Sequence, residues 1–425
     1  MNAFDKVIGY DNIKKELLRV CDMIRDGERY RELGAKLPQG VLLYGDPGLG
    51  KSMMAKCFIE ECGLPAFTVR KTSGGDGFVE KISTAFAEAK KNAPSVVFLD
   101  DMDKFANEDD DHVDAEEYVA VQAGIDDVKD CGVFVIATVN EIRKLPRSLK
   151  RSGRFDRQIE FEVPTEADAR RIISHFLSLK KVSPDVDLED INRMFSYNSC
   201  AELETIINEA AVSAGYAGKD CIGMEDLVES VLNMQYGATD DCLRCSDDRK
   251  KRTALHEAGH VVALEALVPG SVGLASIRTS GGDAGNGFVH RCKAIERRPH
   301  EVLVYLAGKA AVELYYADIV ASGCQRDISH AYQCLRDGIA ENATLGFGMT
   351  DVSWRQFEVS ESMNARNEAV TQAELERCLL MSRNILIRNR KLLEETAALL
   401  ETKETLLYSD ICALKAKYPV VPAAV

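Results

Sequence analysis

Eight residues, Gly45-Asp46-Pro47-Gly48-Leu49-Gly50-Lys51-Ser52, constrain this chain more than any others. They fit G-x-x-x-x-G-K-[ST], a pattern that carries meaning only between a buried strand and the start of a helix. The apolar run Val41–Tyr44 supplies the strand, and the residues after Lys51 read as the helix. In that setting the glycines let successive N–H groups point inward at phosphate oxygens, and the helix N-terminus adds positive potential. Lys51 is placed to neutralise the β- and γ-phosphates of ATP, and Ser52 to hold Mg2+.

Three further short runs, Ala66–Val69, Val96–Leu99 and Val133–Ala137, are β-branched or aromatic and bounded by Gly, Pro or Asp. With Val41–Tyr44 they predict a βαβ architecture with a buried parallel sheet. VVFLDD delivers Asp100 and Asp101 at a strand end. Asp100 reads as the Mg2+ carboxylate and Asp101 as the base that polarises the attacking water. Asn140 follows the next strand, where its amide can orient water near the γ-phosphate; the bland alternative is a turn residue. Arg154 and Arg157, in Arg151-Ser152-Gly153-Arg154-Phe155-Asp156-Arg157, read either as a surface patch or as arginine fingers reaching a neighbour's nucleotide.

The length of 425 residues suggests about two or three domains. The expected division is an α/β nucleotide-binding domain over 1–165, a helical lid over 166–235, a linker over 236–250 and a third unit over 251–425. A Gly-rich stretch at Gly281–Gly287 is expected to flank strands. Asp and Glu number 68 against 53 Lys and Arg, which argues against a nucleic-acid binder. Thirteen cysteines are too dilute for a disulfide scaffold. The longest apolar runs, such as Val133–Val139, fall short of the ~20 residues a membrane span needs, and the N-terminus lacks a signal-peptide core. A cytoplasmic location is expected.

His256-Glu257-Ala258-Gly259-His260 is H-E-x-x-H, in a stretch that reads as one amphipathic helix. Positions i and i+4 share a helical face, so both imidazoles can converge on one ion. Glu257 can then take a proton from the attacking water. The extended motif with a third histidine is absent, since Ala263 and Ala266 occupy its Gly and His positions. No glutamate lies between Glu265 and Glu296. Asp327, Glu313, His330 and His290 remain as third-ligand candidates. Two histidines, a carboxylate and one open position suit catalytic Zn2+.

Several segments carry bland readings. Glu108–Glu117 reads as a solvated acidic loop with His112 in it, and His175 as a packed lid residue. Cys242 and Cys245 form a lone C-x-x-C without a second pair. The helical C-terminal region reads as packing for the third unit.

FDKVIGYDNIKKEL, GDPGLGKS, VVFLDDMD, VIATVNE, RSGRFDR and CAELETIINEAA together resemble the FtsH family of ATP-dependent zinc proteases. The resemblance runs from Phe4 to about Leu414. It implies an α/β AAA+ P-loop NTPase module, a parallel sheet plus small helical lid, followed by a mainly α-helical zinc peptidase domain. It implies ATP, Mg2+ and Zn2+ as cofactors, polypeptide substrates and a homo-oligomeric ring, usually a hexamer. Asn140 becomes sensor 1, and Arg154 and Arg157 act in trans. Ile8, Gly9 and Met53 join Asp46–Ser52 and Asp100 at the nucleotide. The family's Gly-x-x-x-Asp segment matches Gly323-Cys324-Gln325-Arg326-Asp327 and makes Asp327 the third ligand, with Glu313 left as a supporting carboxylate. The family's usual N-terminal membrane segment is not read here. Two departures stand out. Asp100-Asp101 replaces the usual Asp-Glu, shortening the base by one methylene. The usual Phe-Val-Gly pore loop is replaced by Thr72-Ser73-Gly74-Gly75-Asp76-Gly77-Phe78-Val79, with Phe78 the only candidate aromatic. The expected function is ATP-dependent zinc endoproteolysis. The alternative is an unfoldase, scaffold or slow nucleotide switch with secondary or ATP-independent peptidase activity.

Overall fold

A computed structural model describes residues 2–71, 77–106, 115–151, 153–238, 246–278, 287–316, 324–340 and 361–423. By packing, the chain divides into two compact units, Met1–Leu179 with Tyr197–Thr205, and Lys180–Ser196 with Ile206–Val425.

The first unit runs through α1 (Asp11–Arg25), α2 (Gly27–Glu32), β1 (Gly40–Gly45), α3 (Lys51–Cys62), β2 (Ala66–Val69), α4 (Phe78–Lys91) and β3 (Ser95–Leu99). It continues with α5 (Ala115–Asp127), β4 (Val133–Val139), β5 (Arg157–Phe161) and α6 (Glu166–Ser178). The five strands form one parallel sheet in the order β2-β3-β4-β1-β5. The three inner strands are continuous apolar runs because both faces are covered. Val41, Leu43, Val96, Phe98 and Ile136 meet Met54 and Phe58 of α3 on one side. Leu42, Val97, Leu99 and Val135 meet Ile82 and Phe86 of α4 and Ile125 of α5 on the other.

The four strands read from sequence are all present. β5 is an addition. Its RQIEF sequence buries only Ile159 and Phe161 because it lies at the sheet edge, so its apolar signal is half that of its neighbours. In a parallel sheet the C-terminal strand ends open on one side, and β3, β4 and β1 are neighbours. The turns after them therefore meet.

The second unit contains α7 (Leu188–Met194), most of α8 (Cys200–Tyr216), α9 (Met224–Tyr236), α10 (Asp247–Leu267), β6 (Val272–Ser276), β7 (Phe288–Arg291) and α11 (Arg298–Tyr315). It ends with α12 (Gln325–Ala340), α13 (Glu361–Arg388), α14 (Arg390–Lys403), β8 (Thr405–Leu407) and α15 (Tyr408–Lys417). β7, β6 and β8 form a small antiparallel sheet. Strands thus flank the Gly-rich stretch, of which 281–286 lie outside the described residues.

The sequence suggested an amphipathic α10. Instead, nearly every residue from Thr253 to Leu267 is buried, because α11, α13 and α14 pack around it. The helical C-terminal region breaks at Asn389, whose buried amide donates to Ile385 and Val421 carbonyls and accepts from the Val421 N–H. Ala423 N–H donates to the Ala266 carbonyl near the end of α10. Among the described residues, no helix is long and apolar enough to cross a membrane.

Gly259 lets α10 and α11 approach closely. A Cβ there would sit 2.6 Å from the Ala307 carbonyl oxygen and 2.7 Å from the Ala311 Cβ. Gly259→Ala gains about 1 kcal/mol in helix propensity. Against a backbone oxygen at that distance, the overpacking cost of about 1–3 kcal/mol prevails. The urea midpoint of the second unit is expected to fall with the slope unchanged; a raised midpoint would contradict the close-approach argument.

Candidate functional site

β1 ends at Gly45, residues 46–50 turn, and α3 opens at Lys51. In the turn Leu49 is buried, whereas Pro47 and Gly48 are exposed, as is Met53 in the first turn of α3. Ile8 and Gly9 lie just before α1, with Asp168 of α6 against Gly9. Lys51 is buried, and its Nζ donates to the carbonyls of Gly45 and Asp46 at 2.7 Å each. Burial lowers its pKa, while Asp103, Asp101, Asp46 and Asp100 pull the other way. A phosphate offers this ammonium a stronger, charge-assisted partner than two carbonyls, and the first turn of α3 leaves N–H groups without intrahelical partners.

Asp100, at the end of β3, is buried. Its Oδ1 accepts from Ser52 Oγ at 2.7 Å and from Thr138 Oγ1 at 2.8 Å. The two groups expected to hold Mg2+ are thus side by side, and their oxygens suit a hard cation. Thr138 was not anticipated; it is a polar residue inside the apolar run of β4, and its hydroxyl also accepts from the Asp101 N–H at 2.9 Å. Asp101 has a φ of 54° and pairs with Lys104 at 2.8 Å. Asn140 ends β4. Its N–H and that of Glu141 donate to Asp103 Oδ2 at 3.3 Å, and Asp103 Oδ1 is buried without a hydrogen-bond partner among the described residues.

Arg154 is buried and forked onto Asp126 of α5 at 3.0 and 2.7 Å, with a third bond to the Ser148 carbonyl at 2.6 Å. Arg157 pairs with Glu16 of α1 at 3.1 Å. Both arginines are thus engaged within their own chain, while Arg151 is exposed beside Asp126. Phe78 opens α4 and packs edge-on against Phe105, with ring centroids 5.2 Å apart. It is a half-buried core contact and not a free loop aromatic; residues 72–76 before it lie outside the described residues.

In the second unit, α10 carries His256, Glu257 and His260, and the first turn of α12 carries Asp327. Asp327 Oδ2 lies 3.0 Å from His256 Nε2 and 3.5 Å from His260 Nε2, and the two Nε2 atoms are 3.0 Å apart. Tetrahedral zinc with ligand bonds near 2.0–2.1 Å requires ligand atoms about 3.3–3.4 Å apart, so the donor set fits the metal. Among the described residues this is the one cluster of three His, Cys, Asp or Glu side chains able to share an ion. The other candidates lie elsewhere: Glu313 pairs with Lys309, His330 packs beside Tyr305, and His290 bridges Ser196 and Tyr236.

His260 Nδ1 bonds the Val304 carbonyl of α11 at 2.8 Å, which leaves Nε2 facing Asp327. Cys324 Sγ lies 3.7 Å from His256 Nδ1. Burial opposes charge on His256, but hydrogen bonds to Asp327 and Cys324 prevail and carry its pKa up to about 10. Burial likewise opposes charge on Asp327, and the two imidazoles overcome it and hold its carboxyl well below the usual range. Glu257 is buried, and burial pushes its pKa up.

Sequence reasoning missed Gly308. A Cβ on this α11 residue would lie 2.4 and 2.5 Å from His256 ring atoms and 2.6 Å from His260 Nε2. Only the tertiary crossing of two helices reveals that requirement. The Val304 carbonyl is equally illegible, because any residue presents one.

Residues 41–163 match the family model of the ATPase family associated with various cellular activities. An ATP-dependent zinc metalloprotease FtsH from Sulfurovum sp. (strain NBC37-1) is 33% identical, covering 82% of this chain and 54% of the relative. FtsH 2 of Salinibacter ruber is 31% identical, covering 82% and 53%. FtsH 1 of Thermomicrobium roseum is 30% identical, covering 97% and 68%. The chain spans about half the length of the first two.

Two outcomes are expected of the His-His-Asp cluster. Gly308→Ala should lose most bound zinc on dialysis while far-ultraviolet circular dichroism stays native; full retention would show that the imidazoles can move aside. Zinc must also displace the His256 proton, which the hydrogen bonds to Asp327 and Cys324 hold more tightly than on a free imidazole. Affinity should therefore rise about tenfold per pH unit between pH 6 and 8, as one proton released per metal demands. Competition with a calibrated chelator measures that slope.

Proposed function

This chain belongs to the FtsH family of ATP-dependent zinc metalloproteases, and on that premise we propose that it is itself an ATP-driven zinc endopeptidase acting on polypeptides. The observation that carries the proposal is the convergence of His256, His260 and Asp327 within one ion's reach, with Glu257 beside them. Zinc held there would supply a Lewis acid for the scissile carbonyl and the attacking water. Glu257 accepts the proton from that water and passes it to the leaving amine. Its buried setting raises its basicity toward the working pH, which suits the role.

At the other site, Lys51 and the turn 46–50 hold the ATP phosphates. Ser52 and Asp100 take Mg2+, Asp101 polarises water, and Asn140 senses the γ-phosphate. Ile8, Gly9 and Met53 line the rest of the nucleotide. Arg154 and Arg157 act on a neighbour's nucleotide in a ring, a hexamer in the finer reading, after releasing Asp126 and Glu16. The functional division is 1–165, 166–235, 236–250 and 251–425. A cytoplasmic setting is supported by the free state of every described cysteine.

One observation favours a second reading, a slow nucleotide switch. Asp101 Oδ2 is paired with Lys104 at 2.8 Å, and that cation draws the carboxylate's charge away from an attacking water. The deciding experiment is cleavage of an unfolded protein such as casein with ATP, with a non-hydrolysable analogue, and after chelation. Cleavage that needs zinc and ATP turnover supports the proposal. Zinc-dependent cleavage with either nucleotide favours the switch.

Glu257→Gln is expected to cut peptide cleavage by ~10²–10⁴-fold while zinc content and ATP binding stay unchanged. Cleavage near the wild-type rate would remove Glu257 from the mechanism.

A further inference from the structure

Arg70 has no part in the roles assigned above, yet it stands over the acidic pair at the nucleotide site. Its place is set by the backbone. Val69 of β2 pairs with Leu99 of β3, and Asp100 N–H donates to the Val69 carbonyl at 3.0 Å. The next residue on each strand is therefore a neighbour of the other, Arg70 beside Asp100. The guanidinium Nε lies 3.8 Å from Asp100 Oδ2, and one NH2 group lies 3.6 Å from Asp101 Oδ2. Asp100 Oδ1 is already taken by Ser52 and Thr138. Arg70 thus faces the one Asp100 oxygen that has no hydroxyl on it.

We propose that Arg70 is an internal rival of Mg2+ for the Asp100–Asp101 pair and sets how much Mg2+ the nucleotide site requires. The inference rests on reading Ser52 and Asp100 as the Mg2+-holding groups. Guanidinium and dication are drawn to the same carboxylate oxygens and repel each other, so full occupancy by one requires withdrawal of the other. The contacts suit such an exchange. At 3.6–3.8 Å they are ion pairs and not hydrogen bonds, and the Arg70 side chain is 55% exposed, so it can swing into water at little cost. Lys104 is held differently. It lies three residues from Asp101, touches it at 2.8 Å and makes no ion pair with Asp100 among the described residues. It restrains the base, whereas Arg70 spans both carboxylates.

The test is a Mg2+ titration of the full chain with a fluorescent, non-hydrolysable ATP analogue, read as binding and not turnover. Arg70→Ala should lower the Mg2+ midpoint roughly two- to fivefold, the range open to an exposed ion pair. Arg70→Lys, which keeps the charge, should stay close to wild type, and Lys104→Ala should shift the midpoint less than Arg70→Ala. Equal analogue binding by all four proteins at saturating Mg2+ establishes that the variants are folded. An unchanged or raised midpoint in Arg70→Ala overturns the rivalry, and a raised one makes Arg70 a phosphate contact instead. If wild type fails to bind the analogue at any Mg2+ concentration, the nucleotide-site reading falls, and this inference with it.

Discussion

One oxygen of Asp100 ties the nucleotide half of the molecule together. It accepts from Ser52, at the start of α3, and from Thr138, inside β4, while its own backbone belongs to the end of β3. A carboxylate this deeply buried is tolerable only if fixed donors meet it. Those donors come from the helix that follows β1 and from the adjacent strand β4, so the charge and the parallel strand order require each other. The second unit meets the same constraint with different partners. Asp327 is held by two imidazoles, and one of those is held in turn by a backbone carbonyl.

Arg154 extends the pattern to a residue for which the sequence offers a surface patch as one reading. Its fork onto Asp126 and its bond to the Ser148 carbonyl fill most of its donor positions. A guanidinium so engaged can act on another chain only by exchanging one carboxylate for a comparably strong partner, and a phosphate is such a partner. The half-exposed Arg70 needs no comparable exchange.

Legibility in the sequence followed the range of the interaction. Inner strands buried on both faces wrote themselves as unbroken apolar runs, and β1, β3 and β4 lie where those runs are. H-E-x-x-H was legible because its ligands sit one helical turn apart. Asp327 lies on another helix, and only a family resemblance singled it out from Glu313, His290 and His330. Thr138, Gly308 and the Val304 carbonyl were not legible, since each matters through a partner distant in the chain. β5 escaped because RQIEF offers only Ile159 and Phe161 to the core, with charged or polar residues between them, whereas the other edge strand, β2, is the short apolar run AFTV. The Phe78 contact with the Phe105 ring was likewise not legible, because its partner is remote in the chain.

The burial of α10 has a consequence for synthesis on the ribosome. The sheet of the first unit is complete once Phe161 has been made, so its strands can pair while the rest of the chain is still growing. The helix that carries H-E-x-x-H is different. Its apolar sides are covered by α13 and α14, and the Ala266 carbonyl is met by Ala423. The stretch Thr253–Leu267, buried on nearly every side in the finished fold, must therefore wait, through the translation of well over a hundred residues, for the partners that will enclose it. During that interval its uncovered apolar surface is open to aggregation.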